Sequence, residues 1–113
     1  MSEPERKLIV LRLRRDFVAA NAGRRAPTPG FLLLVRRRGD DAGVRVGFTV
    51  TKKIGNAVVR NRLKRRLREV VRAILPDAGI AGADHIVIGR SEGLARDFAL
   101  LKADLAKALA KCA

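Results

Sequence analysis

The sequence has no tryptophan or tyrosine, one cysteine, one histidine, and 11 acidic residues against 25 lysines and arginines. The single cysteine, Cys112, excludes an internal disulfide and a cysteine-based metal cluster, and it fits a reducing compartment. The lone histidine, His85, lies on a predicted strand, where a structural role is the more common one, so we assign it no function. No apolar run approaches the roughly 18 residues of a membrane span or the form of a secretory signal. We therefore expect a cytoplasmic protein.

The scarcity of acidic residues gives a formal net charge of +14 and a sequence pI near 11.6. So positive a chain attracts polyanions, of which nucleic acid is the commonest inside cells. An anionic membrane surface is the alternative, but a surface-binding helix normally presents tryptophan, phenylalanine or leucine opposite its basic residues. The four phenylalanines are instead spread over the chain, at Phe17, Phe31, Phe48 and Phe98. These observations favour nucleic acid over a membrane surface as the binding partner.

The chain nevertheless has enough apolar residues to fold. Hydrophobic residues make up 48% of its 113 positions, which a disordered basic tail would not show. A chain of this length encloses one modest core. We expect a single domain over residues 1–113, with residues 1–12 as a candidate flexible segment.

Apolar runs between turn formers predict the strands. FLLLVRRR and VRVGFTVT flank the turn formers GDDAG, which predicts an antiparallel β-hairpin. In its second strand Val46, Phe48 and Val50 share one face, and Gly47 lies on the other. DHIVIGR predicts a further strand, whereas the two prolines of RRAPTPG indicate a connector or an irregular edge strand.

Three stretches predict helices. RRDFVAANA precedes Gly23, a residue suited to a left-handed C-cap. A second helix begins after Asn56 as its N-cap and ends at about Leu75, because Pro76 follows. The third begins after Asp97 and has an apolar stripe made of Phe98, Leu101, Leu105 and Leu109. This order predicts an α/β sandwich, in which helices pack on one small sheet.

The second predicted helix is amphipathic and carries charge of almost one sign. At 100° per residue an apolar stripe about 80° wide is formed by Val59, Leu63, Leu67, Val70 and Ile74. Between Arg60 and Arg72 the only acid is Glu69. Solvated helix faces usually alternate in sign, so this run indicates an anionic partner. Arginine can grip a phosphate with two hydrogen bonds, and Lys52 and Lys53 precede a helix N-terminus whose free amides also favour phosphate.

The stretch TVTKKIGNAVVRNRLKRRLRE, with Arg60, Asn61 and Arg62 at its core, closely resembles the signature of the protein subunit of bacterial ribonuclease P. RRDF, PGFLLLV, RVGFTV and DHIVIGR extend the resemblance over most of the chain. It implies an α-β-β-β-α-β-α fold, a strand in or near RRAPTPG, and a left-handed βαβ crossover against the usual right-handed rule. It also implies an RNA-binding subunit that binds the catalytic RNA and the 5′ leader of precursor tRNA, and that assists Mg²⁺-dependent removal of the leader.

The resemblance also implies sites. A surface for the catalytic RNA is implied at Lys52, Lys53, Asn56, Arg60, Asn61, Arg62, Lys64, Arg65, Arg66 and Arg68. A separate cleft would bind the leader, with Phe17 at one of its aromatic positions; Phe48 is either a second member or a core residue. Asn21 and the strand segment 32–34 stand where relatives often have aromatics, so leader stacking is expected to be weaker. We predict no catalytic residue and no metal site in the protein, with Mg²⁺ held mainly by the RNA, and one protein for each RNA.

Two other functions compete with this interpretation. A structural RNA-binding protein of the ribosome would share the charge but would not need a leader cleft. A self-sufficient nuclease would need converging carboxylates or a histidine pair, whereas Asp40 and Asp41 are explained by the turn GDDAG. The run from Arg36 to Arg38 is either a solvated end of the hairpin or a second phosphate contact.

Overall fold

The structure is a computed structural model and describes residues 8–40 and 43–113. Five strands and three α-helices follow one another along the chain, with 3₁₀ turns at Lys52–Ile54 and Ser91–Leu94. The elements are β1 (Ile9–Val10), α1 (Arg14–Ala20), β2 (Arg24–Pro27), β3 (Phe31–Arg37), β4 (Arg45–Thr49), α2 (Ala57–Ala78), β5 (Ala83–Gly89) and α3 (Phe98–Cys112). This order contains the α-β-β-β-α-β-α series that the resemblance implies.

The strands form one mixed sheet in the order β1-β4-β5-β3-β2. β5 is parallel to β4 and antiparallel to β3, so it separates the two strands that were expected to form a hairpin. That prediction was wrong because β5, six of whose seven residues are buried, takes the centre of the sheet. Helix α2 joins the parallel neighbours β4 and β5, which is the crossover connection that the resemblance implies; its left-handed sense stays an expectation.

The two faces of the sheet are covered unequally. One face packs against α2 and α3 in the larger core, whose fully buried side chains include Leu33, Leu63 and Leu101. The other face packs against α1, a helix of seven residues, and against Leu11, in a small cluster that includes Leu34 and Ile86. Because α1 is so short, part of this second face stays accessible.

Helix α2 is anchored by a stripe that differs slightly from the predicted one. Leu63, Leu67 and Val70 are buried as expected. Val59 and Ile74 are only half-buried, whereas Val71 and Leu75 are buried in their place. The predicted arc followed an ideal 100° step, but toward its C-terminus α2 turns the next residue in the chain to the sheet. The basic residues remain on the side away from the core.

Both ends of α2 depend on local chemistry. The Oδ1 atom of Asn56 accepts a hydrogen bond of 3.0 Å from the backbone N–H of Val59, which confirms the predicted N-cap. The predicted end at Leu75 was wrong, since the helix continues through Pro76 to Ala78. A proline so near the end removes only the hydrogen bond to the carbonyl of Arg72, an exposed residue, so the last turn still forms.

Three features near the start of the chain bear on the sequence-based expectations. Gly23 does not have the left-handed backbone of a C-cap; a Cβ there would lie 2.1 Å from the carbonyl oxygen of Val35, so glycine allows close approach to β3. Residues 9–11 are bonded to the sheet, because β1 pairs with β4 and the backbone N–H of Leu11 donates a 2.7 Å hydrogen bond to the carbonyl of Val46. Residues 1–7 lie outside the described residues. The strand expected in RRAPTPG is β2, an edge strand, where its proline is tolerated.

A fully buried carboxylate connects four parts of the fold. Asp84, at the start of β5, pairs with Arg38 at 2.5 Å and with Nε of Arg45 at 2.7 Å. Arg45 also reaches Asp16 of α1 at 3.2 Å. Burial lowers the pKa of Arg38, but hydrogen bonds to Asp40 and Asp84 outweigh burial and leave that pKa raised. The guanidinium of Arg38 therefore stays charged, and the ion pairs link α1, β4, β5 and the residue after β3.

His85 lies beside this cluster and has a structural role, as expected. Its side chain is fully buried, and Nε2 lies 3.0 Å from the backbone N–H of Ile80. Because that N–H can only donate, Nε2 accepts, and Nδ1–H donates to the carbonyl of Arg45 at 3.0 Å. Burial lowers the pKa of His85 below its ordinary value. The imidazole is therefore neutral in the folded protein.

This histidine predicts an acid-sensitive stability. With its pKa lowered in the folded state, the unfolded chain binds the proton first as the pH falls through 6.5. The contribution of His85 to the free energy of unfolding should therefore be constant above that pH. At lower pH it should decrease, by at most about 1.4 kcal/mol per pH unit. Urea unfolding of the wild type and of His85→Gln, between about pH 7.5 and pH 5.5, measures this. An equal pH dependence in both proteins would contradict the prediction.

Candidate nucleic-acid interface

The ten residues implied for RNA binding lie on the 3₁₀ turn at Lys52–Ile54, at the N-cap of α2, and on α2 as far as Arg68. We call this surface the cationic face. Seven of its members are exposed, namely Lys52, Lys53, Asn56, Asn61, Arg62, Arg65 and Arg68, and three are half-buried, namely Arg60, Lys64 and Arg66. Within residues 8–40 and 43–113, no ion pair includes any of the ten. The charges of this surface are thus not neutralised within the described part of the protein.

Two of the ten also hold the fold together. Asn56 uses its side-chain oxygen as the cap of α2, which leaves its amide N–H groups for a ligand. Arg66 donates from Nε to the carbonyl of Gly93 at 3.0 Å, and from Nη2 to the carbonyl of Arg96. These two carbonyls belong to the segment between β5 and α3, so Arg66 ties α2 to the start of α3. Nothing in the sequence indicated this contact.

Phe17 lies on the opposite face of the sheet, in a cleft beside α1. We call it the α1 cleft; it has a volume of about 270 Å³ and is lined by Arg14, Phe17, Val18, Asn21, Leu34, Thr49, Ile86 and Ile88. The ring of Phe17 is half-buried and rests over Gly47, where a Cβ would lie only 2.7 Å from its Cζ atom. The structure thus brings Phe17, Asn21 and Leu34 together. Aliphatic side chains form most of the floor.

Phe48 does not share this cleft. It is next to Gly47 on β4 and therefore points to the other face, where it is half-buried against the larger core. There it lines a groove with Val10, Arg68 and Arg72. The two aromatic candidates for leader binding are thus on opposite faces of the sheet.

The described residues offer little for other chemistry. Among residues 8–40 and 43–113, no group of three or more histidine, cysteine, aspartate or glutamate side chains is placed to hold a metal ion. Asp84 is already paired with two arginines. Over the same ranges no helix is both long enough and apolar enough to cross a membrane.

Comparison with known proteins identifies the family. The family described as Ribonuclease P matches residues 6–113. The chain belongs to the ribonuclease P protein family. It is 54% identical over 103 residues to the ribonuclease P protein component of Erythrobacter litoralis, covering 91% of this chain and 84% of that one. The corresponding component of Ruegeria pomeroyi is 50% identical over 105 residues, with coverage of 90% and 84%.

Solved structures of RNase P proteins have the same fold. The protein from Staphylococcus aureus superposes with a TM-score of 0.73 at 27% identity, over 93% of this chain and 95% of that one. The protein from Thermotoga maritima gives a TM-score of 0.72 at 36% identity, over 86% and 91%. The fold and family expected from the resemblance are confirmed. The chain is a protein subunit of the ribonucleoprotein endoribonuclease ribonuclease P, which acts in tRNA 5′ processing, and the ribosomal alternative is set aside.

Arg65 and Arg66 are adjacent arginines with different environments, and we expect different effects from removing them. Arg66→Ala leaves two carbonyls without their donor and should lower the free energy of unfolding by about 1–3 kcal/mol. Arg65 is exposed and makes no hydrogen bond or ion pair within the described ranges, so Arg65→Ala should change stability by less than about 0.5 kcal/mol. Urea unfolding compares the two variants. Equal stability of both would show that the Arg66 contacts contribute nothing to folding.

Proposed function

We propose that this subunit binds the catalytic RNA of ribonuclease P through the cationic face and binds the 5′ leader of precursor tRNA in the α1 cleft. The observation that carries the proposal is the position of the two surfaces. The cationic face belongs to the helix that covers one side of the sheet, and the α1 cleft opens on the other side. Two RNA chains can therefore be bound at once without competing for the same residues.

The charge of the cationic face supports a large structured RNA as its ligand. Each arginine presents a planar fork of donors that fits phosphate oxygens, and the lysines add charge without a fixed geometry. If about six of these groups each displace a counterion, the affinity should fall by roughly three orders of magnitude between 50 and 200 mM salt. Asn61, exposed between Arg60 and Arg62, adds donors and an acceptor for a sugar or base edge.

The shape of the α1 cleft supports a single strand as its ligand. An unpaired base can lie flat on Phe17, since the ring is only half-buried and every base has a face that stacks on an aromatic ring. Arg14, at the edge of the cleft, is exposed and close enough to meet the phosphate of the same chain. Asn21 and Leu34 offer no further ring, so stacking should be weaker than in a cleft with several aromatics. A duplex is too wide to enter.

The chemistry in this proposal belongs to the RNA. Mg²⁺ bound there would activate the attacking water and stabilise the leaving oxygen of the phosphodiester. The protein would reduce repulsion between two polyanions and position the leader, with one protein for each RNA. We propose that it does so in the cytoplasm, where tRNA precursors of bacteria are made.

One reconstitution tests this division of labour. The protein is mixed with bacterial ribonuclease P RNA and a precursor tRNA at low Mg²⁺, and each component is then omitted in turn. We expect the protein to accelerate cleavage by the RNA and to cleave nothing alone. Cleavage by the protein alone, or no stimulation of the RNA, would overturn the proposal.

A second arm of this reconstitution examines the α1 cleft. Phe17→Leu should weaken binding of a precursor with a long leader by about fivefold or more, because one stacking contact is lost. A precursor whose leader is a single nucleotide should bind unchanged. Phe98→Leu, at a half-buried phenylalanine of α3, is the matched control and should change the binding of neither precursor. Equal losses for long and short leaders would place the leader elsewhere.

The salt dependence of RNA binding tests the cationic face. Arg65→Ala should weaken binding to ribonuclease P RNA and reduce the slope of log K against log salt by about one unit. Lys107→Ala removes the same charge from α3, at a site beside Pro27 and Pro29, and should leave the slope unchanged. Equal slopes for the wild type and Arg65→Ala would remove Arg65 from the interface.

A further inference from the structure

A second groove opens between the C-terminal half of α2 and the edge of the sheet formed by β1 and β4. Its volume of about 450 Å³ lies within the range of sites that hold small molecules. Its accessible apolar surface includes Val10, which is 51% exposed, and Phe48, Leu8 and Pro76, which are half-buried. Arg12, Arg68 and Arg72, all exposed, form its rim.

The groove exists because the helices leave this edge of the sheet uncovered. α2 packs over β4 and β5, and α3 packs over β2 and β3. β1 extends the sheet beyond α2 by a strand of only two residues. An apolar floor therefore remains beside a helix whose outer side is cationic.

The residue types in the groove fit a nucleotide better than a simple anion or an apolar peptide. A simple anion would use the three guanidinium groups but not the apolar floor, and an apolar peptide would use the floor alone. A nucleotide has a flat base for the floor and a phosphate for the rim. No acidic side chain lines the groove within the described residues, and none of its three arginines is in an ion pair there.

We propose that this groove holds one unpaired nucleotide of ribonuclease P RNA, with its base against Phe48 and Val10 and its phosphate on Arg68 and Arg72. The proposal rests on the function proposed above for the cationic face. Arg68 belongs to both surfaces, so an RNA that lies along α2 reaches the groove directly. The leader is the less suitable occupant, because the α1 cleft opens on the opposite face of the sheet.

The test uses substitutions in the floor that remove no charge. Val10→Ser takes away exposed apolar surface, and Leu100→Ser, at a 49% exposed leucine of α3, is the matched control. Phe48→Leu keeps an apolar contact with the larger core and removes the aromatic face. We expect Val10→Ser and Phe48→Leu each to weaken binding of full-length bacterial ribonuclease P RNA by about fivefold or more at constant salt slope. Leu100→Ser should bind as the wild type does.

Chemical probing of the same RNA locates the nucleotide. The wild-type protein should protect an unpaired base from a base-modifying reagent, and both floor variants should lose that protection while phosphates along the cationic face stay protected. Thermal melts show whether each variant is folded. If Phe48→Leu is unfolded, the proposal is judged on Val10→Ser alone, because Val10 is 51% exposed and its replacement should not unfold the protein.

The outcomes separate this inference from the function on which it rests. If both floor variants bind and protect as the wild type does while Arg65→Ala weakens binding, the groove proposal is overturned and the cationic face stands. If Arg65→Ala also has no effect, the proposed interface and the groove fail together. If the floor variants weaken only binding of precursor tRNA with a long leader, the occupant is the leader, and the assignment to the catalytic RNA is overturned.

Discussion

The structure depends on the burial of one side of α2, since this helix must be held to the sheet while its other side carries charge that no ion pair within residues 8–40 and 43–113 neutralises. Its buried residues are Leu63, Leu67, Val70, Val71 and Leu75. Burying a side chain of this kind contributes about 1.5–3 kcal/mol. Each like-charged pair at i,i+4, such as Lys64 with Arg68, costs only a few tenths of a kcal/mol. Packing therefore outweighs repulsion several-fold, and α2 can present its arginines without needing an anion in order to fold.

The second face of the sheet is held by a different interaction. α1 buries few side chains, and the ion pair from Asp16 to Arg45 links it to the buried Asp84. Buried ion pairs add little net stability, because desolvation offsets most of the attraction, but they specify geometry. This linkage sets the position of α1, and with it the position of Phe17 over Gly47. The short helix leaves the cleft open, and the ion pairs keep its wall in place.

The structural features that depend on neighbours along the chain were predicted correctly from the sequence. The caps at Asn56 and Asp97, the polarity of α2 and the alternation along β4 are local, and each is present in the structure. The hairpin was wrong because strand pairing is not local: β5, which begins 34 residues after the end of β4 (Thr49 to Ala83), lies between β4 and β3. The end of α2 at Pro76 was wrong because a proline near a helix terminus removes only one exposed hydrogen bond.

In the candidate site, too, local features were predictable from the sequence and contacts between distant residues were not. The composition of the cationic face was readable from the sequence, but the tie from Arg66 to Gly93 was not, since it joins residues 27 apart. The cluster around Asp84 had one weak signal, a carboxylate at the start of an apolar strand. The resemblance supplied Phe17, and period-2 geometry left open whether Phe48 faces the core or a cleft. The packing of α2 on one face and α1 on the other places Phe48 against the larger core.

β4 lies between the two RNA-binding surfaces that we propose. Its successive residues point to opposite faces, so Gly47 supports the ring of Phe17 in the α1 cleft while Phe48 lines the groove beside α2. The same strand is held to β5 along its length and to Asp84 through Arg45. The spacing between the α1 cleft and the groove beside α2 is thus fixed by the thickness of the sheet, without a hinge or a linker between them. A rigid separation of this kind would let the subunit hold the leader at a constant distance from the RNA that cuts it.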